Sequence, residues 1–459
     1  MGFESNKVGS SGQIQETTLA NLGSAQSAGN GAEMVVIDAN NAAIDSNGVY
    51  WSRKSKPAKH HLFTGRNFIP DTNLAVNNLT RAYVVYKPIL TDRKICKIKL
   101  VYSNWYLGTS GTETNNTSTP TLQCGVHKEG EILVTPVFFN GSRSRLFEAG
   151  ETVVSDEIPF GIDPSVDAGF YIRQHVTMNA TTDTLCTSSD MTTADSTNAK
   201  TYRITGATSS FVDNTTYSAG TREYGQYEFG PSAVLGVAED GSVVPCVAII
   251  GSSSAQGVGD TNNTNQNTDF CRGYLARSLK RAKIPYINTS ISGETGTNFL
   301  GNGGAKRRML LGMCNFTHAV STYGSNDIGG AVITTDAGMQ SLLQNLNKLM
   351  KGWGAIPHLC TFTPATSSTD AWATTANQTV LSPLRQSANT WLLSNSSTYN
   401  IIDLEKWSDS GRVLGQPSTG KWRVDLGKPT NDGLHGQPQI HNAIASGIIL
   451  DNGWGRVKF

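Results

Sequence analysis

The sequence predicts an α/β protein with a parallel sheet, preceded by an all-β region, and two observations lead to this fold class. Residues 80–235 contain short segments of alternating polarity separated by turns rich in Gly, Asn, Ser and Thr, which is typical of a β-sandwich. From about residue 240, apolar runs of strand length alternate with segments of helical periodicity, which indicates parallel strands joined by helical crossovers. A chain of 459 residues also exceeds the usual size of one core, so several domains are expected.

The first part of the chain divides into an arm and a sandwich. Residues 1–50 are rich in Gly, Ser, Ala, Asn and Gln, have little apolar periodicity, and predict a flexible or attachment arm. Residues 51–240 are expected to form a jelly-roll-like β-sandwich domain. Its clearest predicted strands lie at residues 82–86, 95–105, 132–139 and 169–173.

The second part, residues 241–459, is expected to fold as a three-layer α/β domain. Its last predicted helix begins at Pro438, because proline suits the first helical turn. The predicted strands cover residues 244–250, 285–291, 317–323, 356–362 and 399–404. The other predicted helices cover residues 270–282, 335–353 and 378–394.

The charge balance argues against a nucleic-acid partner. Lys and Arg number 37 against 36 Asp and Glu, so the formal charge of +1 provides no steering field. The one notable basic stretch, residues 53–61, is interpreted as a solvated loop in preference to a polyanion site.

Composition and segment lengths bear on where the protein works. Only 16% of the residues are charged and 47 are glycine, which is typical of β-rich extracellular or virion proteins. No apolar run is long enough to cross a bilayer, and the first residues show no signal-peptide apolar region. We therefore expect an extracellular or virion-associated protein that has lost a leader or leaves the cell by another route, such as a phage particle.

The seven cysteines cannot all pair, and none lies in a CxxC or Cys/His pattern with metal-ligand spacing. We therefore expect no metal site, and no motif calls for a cofactor. Cys246, Cys314 and Cys360 lie in or beside apolar runs and are predicted to be small core residues. A disulfide between Cys96 and Cys124 remains open.

A serine follows the first strand of the predicted α/β domain. Open α/β sheets bind ligands beyond the carboxyl ends of their strands, and Ser253 lies there, within a turn that Gly251 and Gly257 make possible. Its hydroxyl could act as a nucleophile and its amide could bind a developing oxyanion. An ordinary turn at the end of a strand is the alternative.

Two further segments end at the same predicted edge of the sheet. Asn326, flanked by Gly324, could point its amide at the oxyanion, although a helix N-cap is the alternative and Asp327 could serve as the cap in its place. Gly293 follows the second strand and could contribute a backbone N–H, or be only a loop glycine.

Asp432 and His435 lie in one short turn before the last predicted helix. A spacing of three residues allows the carboxylate to accept from one imidazole nitrogen while the other nitrogen faces Ser253. The sequence thus supplies a nucleophile, a base and an orienting acid. The other histidines have no acidic residue at such close spacing; His318 and His358 are predicted to be packed within strands, and His441 lies in the last helix.

These residues carry a resemblance to the SGNH (GDSL-type) hydrolases over residues 244–459. The first family block matches Gly251-Ser252-Ser253, with Ser252 in place of the usual aspartate, and the second block matches Gly293. The third, Gly-x-Asn-Asp, matches residues 324–327, and the last, Asp-x-x-His, matches Asp432 and His435.

The resemblance implies Ser253 as nucleophile, His435 as base and Asp432 as orienting acid. It also implies an oxyanion hole made of the Ser253 and Gly293 N–H groups and the Asn326 amide. The all-β region before residue 240 is similar to the sandwich that precedes the hydrolase domain in some secreted or phage-borne esterases.

The predicted function is that of a serine esterase that deacetylates an O-acetylated polysaccharide through an acyl-enzyme. Trp372 and Trp407 follow strands and could stack on sugar rings, with plain packing as the alternative. The competing hypotheses are a glycan-binding virion (phage tail) or surface adhesion protein without turnover, and a broad-specificity lipase or lysophospholipase of the same family. The protein could also be a homo-oligomer.

Overall fold

The computed structural model describes residues 60–65, 67–75, 79–188, 202–205, 208–213, 215, 221–223, 229–260, 269 and 271–454. It also describes three short strands in the predicted arm, Phe3–Lys7, Ile14–Thr17 and Val49–Tyr50, which pair as one antiparallel sheet. The rest of the predicted arm and most of the basic stretch lie outside the described residues.

Two antiparallel sheets dominate the first half of the chain. The larger has seven strands: Thr80–Pro88, Thr121–Lys128, Thr135–Pro136, Ser144–Leu146, Gly169–Thr177, Tyr202–Thr205 and Thr221–Glu223. The smaller has five: His61–Leu62, Ile95–Ser103, Thr152–Val154, Ile158–Ile162 and Ala233–Ala238. Alternate side chains of both sheets, such as Leu100, Tyr102, Leu122 and Ile172, are buried in one shared hydrophobic core. Two small antiparallel pairs complete this half: Trp105–Leu107 with Glu113–Asn115, and Thr72–Ala75 with Thr184–Thr187.

The predicted strand at residues 132–139 is wrong over most of its length. Only Thr135–Pro136 forms a strand there, while Ile132 and Leu133 are exposed by 74% and 83%. The apolar run is therefore only half-buried, with Val137 and Phe139 in the core and Ile132, Leu133 and Phe138 exposed. Two 3₁₀ turns, Thr109–Gly111 and Ser209–Asp213, occur in the described part of this half.

Most strand pairs of the described chain are antiparallel, and the parallel pairs belong to one six-stranded sheet in the second half. Its order is Asn400–Ile402, Ile356–Cys360, His318–Ser321, Val247–Ile250, Tyr286–Asn288 and Asn67–Phe68. The last of these strands comes from the first half of the chain, so the sheet is not built from residues 241–459 alone. The division of the chain at residue 240 stays a prediction.

Helices cover both faces of this sheet. Along the Val247–Ile250 strand, Ala248 and Ile250 join the core on one face, whereas Val247 and Ile249 join the core on the other. The first face carries the helices Ala305–Met313, Asp336–Gly352 and Pro383–Ser394. The second carries the helices Tyr274–Arg281 and Pro438–Leu450. Val101, Trp105 and Leu235 from the first half also belong to the first-face core, so the two halves share buried surface.

The remaining elements are short and lie around the carboxyl edge of the sheet. The sequence did not predict them as separate elements. One of them, the strand Gln378–Val380, replaces the start of the predicted helix 378–394, which begins only at Pro383. They are the helices Ser253–Gln256, Gly296–Leu300, Ser325–Gly329 and Glu405–Ser408, the 3₁₀ turns Asn302–Gly304 and Arg412–Leu414, and the paired strands Thr366–Ser368 and Gln378–Val380.

All seven cysteines are free, so the open possibility of a Cys96–Cys124 disulfide is not realised. Cys124 instead contacts the Tyr102 hydroxyl at 3.3 Å. Cys246, Cys314 and Cys360 are buried, as predicted. Among the described residues, no helix has the length and apolar character that a membrane span requires.

Candidate active site

The Ser253 turn lies where the central strand Val247–Ile250 reaches the edge of the sheet. Ser253 opens the helix Ser253–Gln256 and is only 5% exposed. A side chain at Gly251 would bring its Cβ within 2.1 Å of the Thr322 hydroxyl, so only glycine lets the neighbouring strand ends approach so closely. Gly257 ends the short helix with a φ of 94°. The chain therefore fixes Ser253 tightly at the carboxyl edge.

A second turn, before the last helix, holds an acid and an imidazole. Asp432 Oδ1 accepts the backbone N–H groups of Leu434 and His435, both at 2.9 Å. Asp432 Oδ2 lies 2.6 Å from His435 Nδ1. Gly433 has a φ of 83°, and a Cβ there would lie 1.8 Å from the Thr366 carbonyl oxygen, so this position also requires glycine.

The two turns meet through a hydrogen bond. His435 Nε2 lies 2.7 Å from Ser253 Oγ, although 182 positions separate the two residues. Because Nδ1 faces a carboxylate it carries the proton, which leaves Nε2 to accept from the serine hydroxyl. The structure thus brings Ser253, His435 and Asp432 into one hydrogen-bonded chain.

Hydrogen bonds within its own turn stabilise the ionised form of Asp432. Partial burial acts to raise the pKa of Asp432, but hydrogen bonds from the His435 backbone and ring and from the Leu434 N–H outweigh it and lower the pKa to about 2. The carboxylate is therefore ionised at neutral pH, as an orienting acid for an imidazolium must be.

The Gly293 loop is bound directly to the Ser253 turn. Ile291 donates its N–H to the Gly251 carbonyl at 3.2 Å, and Ser292 donates its N–H to Gln256 Oε1 at 2.8 Å. Gly293 follows with a φ of 81°. The loop after the second strand is thus placed beside the helix that starts at Ser253.

Asn326 lies in the first turn of the helix Ser325–Gly329, but it does not cap that helix. The N-cap is Gly324, without a side-chain capping bond, and Asn326 Nδ2 donates to the Glu294 carbonyl at 2.9 Å. Asp327 does not cap it either, because its carboxylate accepts the Gly296 N–H of the neighbouring helix at 2.8 Å. The Asn326 amide is therefore oriented by the residue that follows Gly293, with its second N–H left to donate elsewhere.

A buried ionic network lies behind this pair of loops. Glu294 and Arg307 both have fully buried side chains, and Arg307 donates from both terminal nitrogens to the Glu294 carboxylate. The Tyr323 hydroxyl donates to the same carboxylate at 2.5 Å. Burial raises the pKa of Glu294, because the interior disfavours the charged form of a carboxyl group. The network fixes the side chain of Glu294, the residue that follows Gly293 and whose carbonyl accepts from the Asn326 amide.

The first half of the chain completes this network. Glu113 accepts the Arg307 backbone N–H at 2.9 Å and its Nε at 3.1 Å, and the Gly111 carbonyl accepts from Arg307 Nη2 at 3.2 Å. In the same turn, the Ser110 hydroxyl would lie 3.0 Å from a Cβ placed on Gly293. The β-rich half therefore reaches the Gly293 loop.

Trp372 lies beside the acid–imidazole turn. Its Nε1 donates to the Thr366 hydroxyl at 3.0 Å, and its ring edge would be 3.1 Å from a Cβ on Gly433. Its side chain is partly exposed and its backbone has a φ of 63°, which is uncommon for a residue other than glycine. Trp372 thus lies at the acid–imidazole turn, and Lys428 Nζ is 5.9 Å from its ring centre.

Trp407 is not brought to the site. Its ring packs against Gly447 in the last helix, and its Nε1 donates to Asp451 at 3.0 Å. Gly447 lies nine residues beyond Pro438, which is roughly 13 Å along the helix from its start near His435. The plain-packing alternative describes this residue.

Several residues of the site escaped sequence reasoning. Glu113, Gln256 and Arg307 act through contacts between distant segments, and the Glu113–Arg307 contact spans 194 positions. No local spacing could have indicated such contacts. Glu294 directly follows Gly293 in the sequence, and its burial was not predicted.

Among the residues that the structure describes, no group of three or more His, Cys, Asp or Glu side chains is arranged to hold a metal ion. The side chains that the structure brings to the site supply a hydroxyl, an imidazole, a carboxylate and an amide.

No protein-family model and no curated protein sequence matches the chain. Solved structures that the chain resembles include a GDSL-like lipase from Bacteroides thetaiotaomicron, with 14% identity, coverage of 46% of this chain and 89% of that chain, and a TM-score of 0.32. An acetyl-xylooligosaccharide esterase from Geobacillus has 14% identity, coverage of 47% and 94%, and a TM-score of 0.32. A Bacillus subtilis protein has 12% identity, coverage of 81% and 79%, and a TM-score of 0.33. At these TM-scores the likeness supports no argument about function, which is inferred from the geometry of this chain alone.

Proposed function

We propose that the chain is a serine esterase of the SGNH type, with Ser253 as nucleophile, His435 as base and Asp432 as orienting acid. One observation carries this proposal: the unbroken chain from Asp432 Oδ2 to His435 Nδ1 at 2.6 Å and from His435 Nε2 to Ser253 Oγ at 2.7 Å. The two turns that supply these side chains are 182 positions apart in the sequence. The arrangement is that of a serine activated by an imidazole.

In the proposed acylation step, Ser253 Oγ attacks the ester carbonyl while its proton passes to His435 Nε2. The tetrahedral intermediate collapses, and His435 returns that proton to the leaving alkoxide, which departs as the alcohol. Water then attacks the acyl-serine with His435 again as base, which releases the carboxylic acid and restores the serine. Asp432 stays ionised and stabilises the imidazolium in both steps.

The oxyanion of the tetrahedral intermediate would be bound by the N–H groups of Ser253 and Gly293 and by the Asn326 amide. Ser253 is the first residue of its helix, so its N–H has no acceptor within that helix. The Asn326 amide is fixed by its bond to Glu294, so it is already oriented before the charge develops.

For the substrate we propose an acetyl ester on a polysaccharide. A cavity of about 10 Å³ lies next to the candidate triad, lined by Ser254, Tyr274, Trp422, Gly436 and Ile440. Trp372, partly exposed beside Gly433, is the proposed contact for a sugar ring. We further propose that the two antiparallel sheets form a sandwich domain that supports the Gly293 loop.

Hydrolysis of p-nitrophenyl acetate, compared between the wild type and Ser253→Ala, tests the esterase. We expect turnover in the wild type, and neither turnover nor labelling by a fluorophosphonate probe in Ser253→Ala. Ser397→Ala is the matched control, because it removes an exposed hydroxyl that lines neither cavity. Labelling that persists in Ser253→Ala would place the nucleophile elsewhere.

The competing functions give different results in the same assays. A pure glycan-binding adhesion protein would leave p-nitrophenyl acetate intact, and a lipase would prefer longer acyl esters to acetate. Acetate release from acetylated polysaccharides, measured against hydrolysis of p-nitrophenyl esters of increasing chain length, separates the three. An extracellular or virion location remains a prediction, which electron microscopy of particles would test.

A further inference from the structure

Arg385 is a buried cation without an acidic partner. Its side chain is 7% exposed and lies in the first turn of the helix Pro383–Ser394. Nη1 donates to the Ser325 hydroxyl at 3.2 Å and to the Thr363 carbonyl at 3.0 Å. Nε is buried without an acceptor, and among the described residues Nη2 has no acceptor and no carboxylate pairs with the guanidinium. The edge formed by Nε and Nη2, which can bind a carboxylate through two parallel bonds, is therefore unused.

Two other buried arginines near the site are paired with acids, whereas Arg308 donates to the Phe299 carbonyl and, at 2.7 Å, to the Gly301 carbonyl. Arg277 pairs with Asp260, with both side chains fully buried, and Arg307 pairs with Glu294 and Glu113. Burial lowers the pKa of Arg385 to about 10, with no acid acting in the opposite direction, so the group is still a cation at neutral pH. An isolated charge in such a place carries a desolvation cost that a partner anion would offset.

The start of the same helix adds to this positive potential. The N-cap residue, Ser382, makes no side-chain capping bond, so the first N–H groups of a 12-residue helix are not neutralised by it. A helix N-terminus and a guanidinium at the same place both favour an anion.

These groups line a cavity next to the candidate active site. Its lining residues include Phe362, Thr363, Ser382, Arg385, Gln386 and Glu405. Thr363 also lines the cavity beside Ser254 and Gly436, which are the chain neighbours of Ser253 and His435. Ser325, which contacts Arg385, directly precedes Asn326. Glu405 also lines this cavity, where its carboxylate accepts from the Ser418 hydroxyl at 2.6 Å and burial raises its pKa.

We propose that this cavity binds a carboxylate of the substrate, carried by an acidic sugar next to the acetylated one, and that Arg385 determines this specificity. The proposal rests on the esterase function above and refines it: the polysaccharide would be acidic. One carboxylate oxygen would accept from Nη2 and the other from Nε, while Nη1 keeps its bonds to Ser325 and Thr363.

The test compares an acetylated methyl glucuronoside with its carboxyl methyl ester, which lacks the negative charge and carries one additional methyl group. We expect the wild type to favour the acid in kcat/KM by roughly 10- to 100-fold, the range of a charge-assisted contact. In Arg385→Gln the ratio should fall to about one. Arg385→Lys should retain part of the preference, because an ammonium keeps the charge without the two-bonded geometry. Urea unfolding shows whether each variant is folded.

Two controls keep this inference separate from the esterase itself. If no substrate is turned over, the esterase proposal fails, and titration calorimetry of the wild type with sodium glucuronate, glucose and inorganic phosphate still tests the cavity. Binding of glucuronate alone, lost in Arg385→Gln, supports the inference. Equal kcat/KM for the acid and its methyl ester, an unchanged ratio in Arg385→Gln, or binding of phosphate without glucuronate would overturn it.

Discussion

Two buried arginines flank the short helix Ser325–Gly329, and they differ in how their charge is balanced. Arg307 acts on the Asn326 side, where it holds Glu294, whose carbonyl accepts from the Asn326 amide. Arg385 acts on the other side through the Ser325 hydroxyl and has no carboxylate among the described residues. We interpret the difference as a division of roles: a charge neutralised within the chain supports the fold, and a charge left unbalanced awaits a ligand.

The strongest test of this comparison replaces each arginine with methionine. Arg307→Met leaves the buried carboxylates of Glu294 and Glu113 unpaired, so the free energy of unfolding should fall by about 3–5 kcal/mol. Arg385→Met removes a charge that has no partner, so without substrate the change should stay within about 1 kcal/mol. Urea unfolding of both variants beside the wild type measures the two changes. Equal losses would show that the surroundings of the two arginines do not differ in the way described.

Asn326→Ala tests the contribution of Asn326, on the Arg307 side of the helix Ser325–Gly329, to the chemical step. Loss of one oxyanion donor should lower kcat by about 10²- to 10³-fold with little change in KM, because the contact strengthens only in the transition state. Steady-state hydrolysis of p-nitrophenyl acetate gives both constants, and Asn179→Ala, an exposed asparagine of the β-rich half, is the control. Full activity of Asn326→Ala would remove this residue from the oxyanion hole.

Glu113→Gln asks whether the β-rich half supports the Gly293 loop. The variant keeps the size of the side chain but removes one of the two carboxylate charges that pair with Arg307. We therefore expect a loss of about 1–3 kcal/mol in unfolding free energy and a several-fold lower kcat. Glu148→Gln, an exposed carboxylate of the same half, is the matched control. A less stable variant with unchanged kcat would limit Glu113 to a structural role.

The smallest effect concerns Asp432, a charge that water reaches, with 50% side-chain exposure. Its folded pKa of about 2 lies below the value of about 3.9 for an unfolded aspartate. Its contribution to stability is therefore complete above about pH 4 and is lost as the pH falls toward 2. The difference in urea midpoint between the wild type and Asp432→Asn should shrink over that interval. A difference that does not vary with pH would contradict the assigned hydrogen bonds.

The positions of Ser253, Gly293, Asn326 and His435 could be expected from sequence, because each follows a strand or precedes a helix of strong periodicity. Parallel strands align their carboxyl ends, so local spacing was enough to bring these residues to one edge. The roles of the residues remain proposals, but their convergence is a property of the structure.

The supporting residues could not be predicted in this way. The helix Ala305–Met313 buries Arg307 and Arg308, so its buried face contains charges and its periodicity is masked. Arg385 lies inside a helix whose existence was predicted, but its burial depends on segments 22 and 60 positions away. Trp407 was considered for stacking on a sugar, with plain packing as the alternative, and its ring packs against Gly447, where a side chain would leave no room for it.

The two-residue strand Asn67–Phe68 has a practical consequence. It pairs with Tyr286–Asn288 and thereby covers the outer N–H and C=O groups of that strand. A shortened chain that starts at residue 241 would lack this cover and expose a row of unpaired backbone groups, which is a template for association between molecules. Such a truncation should precipitate or self-associate even where the remaining helices and strands fold correctly.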